Sequence, residues 1–193
     1  MSKHLDEEVV FSGKIGEVLH TTQSDGRVFE RYRRPPGTRL VVVTPQGKLL
    51  MTREYRQETG NTDLRLPGGK VCDSLAEYRE LIKSSQDIME AATKAAAKEA
   101  SEELGVTVKN LNLLVKATAG ATVEWDLYYF MTDEYTENAD GQDLEQGEQI
   151  ERVELTPQEI RRAIDSGEMQ EWRSVGVLLG IVLPQLEAEA LAK

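Results

Sequence analysis

The chain has 193 residues, enough for one substantial domain or a compact domain carrying an appendage. Hydrophobic residues at 39% and charged residues at 30% exclude a disordered or fibrous chain. A net charge of -11 argues against a nucleic-acid partner, because phosphate neutralisation takes clustered Lys and Arg.

In chain order, short β-runs are expected at 9–11, 16–22 and 28–33. The last two flank Ser24-Asp25-Gly26, a hairpin turn signal. Runs 40–44 and 48–53 flank Pro45-Gln46-Gly47 and repeat the pattern. Ser74 with Glu77 three residues later opens a helix by the capping-box rule. A second start is expected at Ser84 or Ser85, so that the later helix runs over 88–104 and stops at Gly105. Strand character returns over 106–117 and 122–131, and 132–148 reads as a long, acidic, exposed loop. A strand is expected over 149–155. Thr156-Pro157-Gln158-Glu159 caps a helix ending near Gly167, and a last helix spans 172–192 with a break at Pro184. The whole reads as α+β, an α/β/α sandwich with a mixed sheet flanked by helices. A small antiparallel β-subdomain over 1–34 precedes the main domain over 35–193.

The lone cysteine, Cys72, forms no intrachain disulfide, so a reducing, cytoplasmic compartment is expected. The N-terminus shows no signal-peptide h-region, and no segment approaches the roughly 20 apolar residues of a membrane span, so no membrane partner is expected.

The informative segment lies in the long helix. Glu99, Glu102 and Glu103 stand at i, i+3 and i+4 and share one face. Like charges at that spacing cost a helix about 0.2 to 0.5 kcal/mol per pair, a conflict that a hard cation with oxygen ligands removes. Alone, such a cluster is most often a solvated face. Here Leu66-Pro67-Gly68-Gly69 precedes it and Gly105 closes it.

From Glu90 through Lys98-Glu99 and Glu102-Glu103 to Gly105-Val106, the sequence resembles the signature of the Nudix family, G-x5-E-x7-R-E-U-x-E-E-x-G-U, in register. The resemblance implies that Glu99, Glu102 and Glu103 hold Mg²⁺, with Mn²⁺ as a substitute, and that the Gly68 carbonyl adds a ligand. It implies hydrolysis of a diphosphate linked to a second moiety. Three departures stand out. An insertion of about 15 residues over 71–89, expected to be helical, separates Gly69 from Glu90. Lys98 replaces the arginine, and Ala100 replaces a bulky aliphatic residue.

The flanking stretches Arg34-Pro35-Pro36-Gly37-Thr38 and Arg53-Glu54-Tyr55-Arg56-Gln57 are similar to those of the ADP-ribose and nucleotide-sugar branch. Arg34, Arg53 and Arg56 are the expected substrate contacts, since guanidinium forks grip phosphates. The general base expected from this branch lies in the acidic loop, Glu148 first and Glu145 second, with a box glutamate, Glu102 or Glu103, as the other option. Trp125, Tyr128 and Tyr129 are expected to be mostly core, with an adenine platform as the alternative. The resemblance implies ADP-ribose as substrate and a homodimer built through the N-terminal β-subdomain. The alternatives are a GDP-sugar or other nucleotide-sugar pyrophosphatase, or a noncatalytic nucleotide-sugar sensor.

Overall fold

A computed structural model describes residues 6–57, 59–84 and 87–191. Three antiparallel strands open the chain: β1 (Asp6–Ser12), β2 (Glu17–Thr22) and β3 (Val28–Arg33). The central sheet begins with β4 (Gly37–Val43) and β5 (Leu49–Arg56), joined by the expected hairpin. β6 (Asn61–Arg65) follows, then helices α1 (Leu75–Lys83) and α2 (Ile88–Leu104). The strands β7 (Val106–Val108), β8 (Asn112–Ala117), β9 (Val123–Glu124), β10 (Leu127–Thr132), β11 (Tyr135–Glu137) and β12 (Ile150–Leu155) come next. Helices α3 (Pro157–Asp165), α4 (Trp172–Val177) and α5 (Leu183–Leu191) finish the chain. Ser85, one of the two expected helix starts, and residue 192, the expected end of the last helix, lie outside the described residues.

The central sheet has the order β12-β5-β4-β10-β8, with β6 also on β5. It is mixed, since β10 runs parallel to β4 while β4–β5, β5–β12 and β10–β8 are antiparallel. β4 is buried over its whole length, as its continuous apolar run requires of a strand covered on both faces. Val41, Val43, Leu49, Met51 and Tyr129 meet residues of α3, α4 and α5. On the other face Leu40, Val42, Leu50, Tyr128 and Phe130 pack against Ala92, Ala96, Ala100 and Leu104 of α2. The layering is therefore α/β/α. The small side chains at i, i+4 and i+8 let α2 lie close on the sheet, and Ala100 is the last of them, fully buried. Burying Tyr128 and Tyr129 on opposite faces settles both as core residues.

The structure departs from the sequence reading where pairing decides the conformation. β6 has few apolar residues and was not anticipated. It forms because its backbone pairs with the outer half of β5, with Leu64 buried beneath it. The expected strand over 106–117 divides at Asn110, whose φ of 49° breaks the extended run. The acidic stretch 132–148 contains β11, held antiparallel to β7. In the last helix the break at Pro184 takes the form of a π-helical turn, Leu178–Val182, between α4 and α5. A proline without an N–H and clashing with the carbonyl four residues back forces the ladder to widen there. This helical stretch, Trp172–Leu191, is long and apolar enough to span a bilayer, contrary to the sequence reading. Its Val175, Leu178, Val182, Leu183 and Leu186 are buried core residues, which accounts for the apolar composition.

The insertion folds as α1 with a small core of its own, Cys72, Leu75, Tyr78 and Leu81. Ser74 accepts a hydrogen bond from the Glu77 N–H, as the capping rule requires. Glu17 of β2 is fully buried and pairs with both Arg33 of β3 and Arg79 of α1. That carboxylate ties the insertion to the N-terminal sheet. The sheet gains a fourth, parallel strand, β9, on the β3 edge.

Candidate active site

β4 and β5 pair only at their hairpin end, Val42 with Leu50 and Val43 with Leu49. Beyond that point the segment 61–71 fills the gap between them. Its first half is β6, bonded to β5. Its second half crosses to β4: Leu40 N–H donates to the Pro67 carbonyl at 2.9 Å and Thr38 N–H to that of Gly69 at 2.9 Å. Gly68 sits in this crossover with a φ of 143° and its α-carbon against the backbone of Thr38 and Arg39, so no other residue fits without displacing the strand. The Gly68 N–H donates to Glu103 Oε2 at 2.8 Å. Its carbonyl accepts no backbone hydrogen bond among the described residues.

A cleft of about 600 Å³ opens over this loop. α2 supplies one wall with Lys98, Glu99, Glu102 and Glu103. The Glu99 carboxylate lies against Gly69, where only a missing side chain leaves it room. Burial, with Glu102 adding to it, pushes the Glu99 carboxyl up to about 7. Burial and then the charge of Glu99 push Glu103 up to about 8, against the hydrogen bond from Gly68 and the charge of Arg39. Glu102 is drawn instead to Lys98, its carboxylate 2.8 Å from Nζ. Among the described residues, no three acidic, His or Cys side chains therefore share one ligand geometry. The donor set still suits a divalent cation. A buried carboxylate, Glu103, and a half-buried one, Glu99, that resist ionisation side by side, with a carbonyl that has a free lone pair, offer the hard oxygens that such an ion takes.

The acidic loop closes the end of the same helix. Gly105, at φ 67°, caps α2 with its α-carbon against the backbone of Gly141 and Gln142, a close approach that again needs glycine. Asp143 N–H donates to the Glu102 carbonyl at 3.0 Å, Asn138 N–H to that of Gly105 at 2.8 Å, and Arg152 Nη1 to that of Leu104 at 2.9 Å. These bonds satisfy helix-end carbonyls and bring Glu145 and Glu148 to the cleft. The two form a turn in which Glu148 accepts from the Glu145 N–H at 3.0 Å. Lys98 reaches Glu145 at 3.9 Å, so the lysine that replaces the signature arginine links the helix to the loop.

The opposite wall is cationic, and the sequence reading found only part of it. Of the three arginines expected to contact substrate, Arg34 and Arg56 line the cleft. Arg53 does not: strand alternation turns it away with Tyr55 onto a separate surface beside Thr62 and Glu151, where it pairs with Glu168 at 3.8 Å. Period-two alternation from Arg56 carried enough information to separate the two. Arg39, Arg65 and Glu54, which were not singled out, also line the cleft. Glu54 pairs with Arg56 at 2.8 Å and with Arg65 at 3.0 Å. Burial raises its carboxyl despite Arg56. Trp125 reaches the cleft rim, and the Arg34 and Arg173 guanidiniums lie over its ring at 4.3 and 4.1 Å. From the insertion come Asp73 and Glu77.

A mixed α/β/α sandwich with a glycine loop against a glutamate-rich helix is the arrangement that the resemblance in the sequence implied. The NUDIX domain family matches residues 33–174, and the chain belongs to that family, as the resemblance in its sequence implied. It is similar to the ADP-ribose pyrophosphatase of Bacillus subtilis (strain 168), 22% identical over 174 residues that cover 88% of this chain and 86% of that protein. Its fold is similar to the crystal structure of an ADP compounds hydrolase, with a TM-score of 0.64 and 21% identity over 97% of this chain and 92% of that one. Nudix hydrolases generally use a divalent metal, and a small nucleotide derivative as substrate is consistent with the family.

Proposed function

We propose that this chain hydrolyses the diphosphate of a nucleoside diphosphate sugar, with ADP-ribose, cleaved to AMP and ribose 5-phosphate, as the first candidate. The observation that carries the reading is the cleft itself, which faces a carboxylate wall with a guanidinium wall across about 600 Å³. The guanidinium wall suits the phosphate oxygens, and the carboxylate wall, too anionic to face a diphosphate by itself, suits a divalent cation that would accompany one.

In this reading Glu99, Glu102, Glu103 and the Gly68 carbonyl hold Mg²⁺, or Mn²⁺ in its place. Held there, such an ion would supply positive charge against the phosphate oxygens and make a nearby water easier to deprotonate. Arg34 and Arg56 hold the diphosphate, and Arg34 keeps its orientation by stacking on Trp125. Glu148, and after it Glu145, takes the proton of the attacking water from the loop side, with Glu102 as the box alternative. The loop that carries the first two is hydrogen-bonded to the end of the box helix, which ties the base candidates to the helix that bears the ligands. Arg53, on the other surface, has no part in this cleft.

We place the enzyme in the cytoplasm, where the buried Cys72 thiol stays reduced. A homodimer through the N-terminal sheet fits its exposed Val9, Phe11, Val28 and Phe29. The deciding experiment is a panel of ADP-ribose, GDP-sugars, other nucleoside diphosphate sugars, dinucleotides and nucleoside triphosphates, assayed with Mg²⁺ and with EDTA. Mg²⁺-dependent release of AMP from ADP-ribose is expected, and preference for another nucleotide sugar redirects the assignment. Silence across the panel favours a nucleotide-sugar sensor, for which the Lys98–Glu102 pair, occupying one of the box carboxylates, is the supporting observation.

A further inference from the structure

Arg39 is the most deeply buried basic side chain of the cleft, 5% exposed at the start of β4. Its Nη1 donates to the Thr38 carbonyl at 2.7 Å, and its Nε is buried with no hydrogen-bond partner. Among the described residues it forms no ion pair, because the carboxylates around it are otherwise engaged. Glu54 is held by Arg56 and Arg65, Asp63 lies beside Arg65 at 3.6 Å, and Glu103 accepts from the Gly68 N–H. An unpaired buried cation with an unsatisfied donor is costly to a folded protein. Such a group at the floor of a cleft is complementary to an anion that arrives from outside.

We propose that Arg39 is the principal phosphate-binding residue of the cleft, a guanidinium fork that takes oxygens of the substrate diphosphate and is left without a counter-ion when the cleft is empty. The assignment rests on the diphosphate reading of the cleft and goes beyond it. Arg34 also has a buried Nε without a partner, but its guanidinium lies over the Trp125 ring, and Arg56 pairs with Glu54; Arg39, the most buried of the three, has neither a ring nor a carboxylate partner among the described residues. A fork is required because a lysine ammonium cannot present two parallel donors to a phosphate. The Gly68 crossover lies against the backbone of Arg39, which sets the arginine beside the box loop.

The test is calorimetric titration of ADP, which carries the diphosphate but no sugar, in EDTA and again with Ca²⁺, for wild type, Arg39→Lys and Arg39→Met. Wild type is expected to bind in at least one condition, and both variants are expected to lose at least tenfold in affinity there. Arg39→Met is also expected to unfold no lower than wild type, since an apolar side chain of similar length removes an unpaired buried charge. A purely structural arginine would lower the melting temperature. If the methionine variant does not fold, Arg39→Lys carries the test alone. Binding by a folded variant within twofold of wild type, or no binding of ADP by wild type in either condition, overturns the assignment. Turnover is read separately. Arg39-dependent ADP binding without hydrolysis of any panel substrate sinks the enzymatic reading and leaves Arg39 standing, whereas full hydrolysis of ADP-ribose by Arg39→Lys does the reverse.

Discussion

The two walls of the cleft are built on opposite principles. The carboxylate wall comes from one turn of one helix, where Glu99, Glu102 and Glu103 are neighbours by spacing alone. The guanidinium wall is collected from the linker after β3, the start of β4, the end of β5 and the end of β6, so that Arg34, Arg39, Arg56 and Arg65 meet only in three dimensions. The first wall is written in a local period and the second in strand register. A local wall is robust to the details of packing. A register-built wall depends on each strand presenting the correct face.

The sharpest way to break this contrast is on the carboxylate side. Glu103→Gln is expected to reduce turnover by about a hundredfold or more, a magnitude typical of removing one preorganised charge-stabilising group from an active site. Full activity in a steady-state assay would remove Glu103 from the ligand set. On the guanidinium side the contrast predicts a parity effect. Arg56→Lys is expected to raise KM roughly tenfold, in line with losing a charge-assisted hydrogen bond, while Arg53→Lys, on the outer surface, leaves KM and kcat unchanged. Equal effects at the two positions would mean that β5 presents the other face to substrate.

The smallest effect is a matter of pH. With metal removed, burial holds the Glu99 and Glu103 carboxyls up at about 7 and about 8. The native state therefore binds more protons than the unfolded chain. Stability from these groups is fully present below the ordinary glutamate range and is lost as pH rises through 7 and 8. The melting temperature in EDTA is expected to fall by a few degrees between pH 5 and 8.5. Saturating Mg²⁺ should flatten that slope, because a ligand that binds the native state preferentially stabilises it. A slope unchanged by Mg²⁺ would place the ion elsewhere.

How much of this was legible beforehand follows from the same distinction. The hairpins, the capped helices and the box carried turn, cap and spacing signals between residues a few positions apart. β6 and β11 carried none, because each is a strand only by virtue of its partner. Arg39 was hidden because it stands just before the apolar run 40–44, outside the strand expected from the sequence, whereas the observed strand β4 begins at Gly37 and includes it. The acidic loop was recognised by composition, but its attachment to the carbonyls at the end of α2 was not.

By itself the sequence determined the carboxylate face, the glycines at 68 and 105 and the α/β alternation, since these depend on helix period, backbone conformation and hydrophobic pattern. Only the tertiary structure decided which arginines share the cleft. That choice rests on where β4 and β5 part to admit the crossover at Gly68, and on the one strand face each arginine occupies. Hydrogen bonding between strands distant in sequence fixes both.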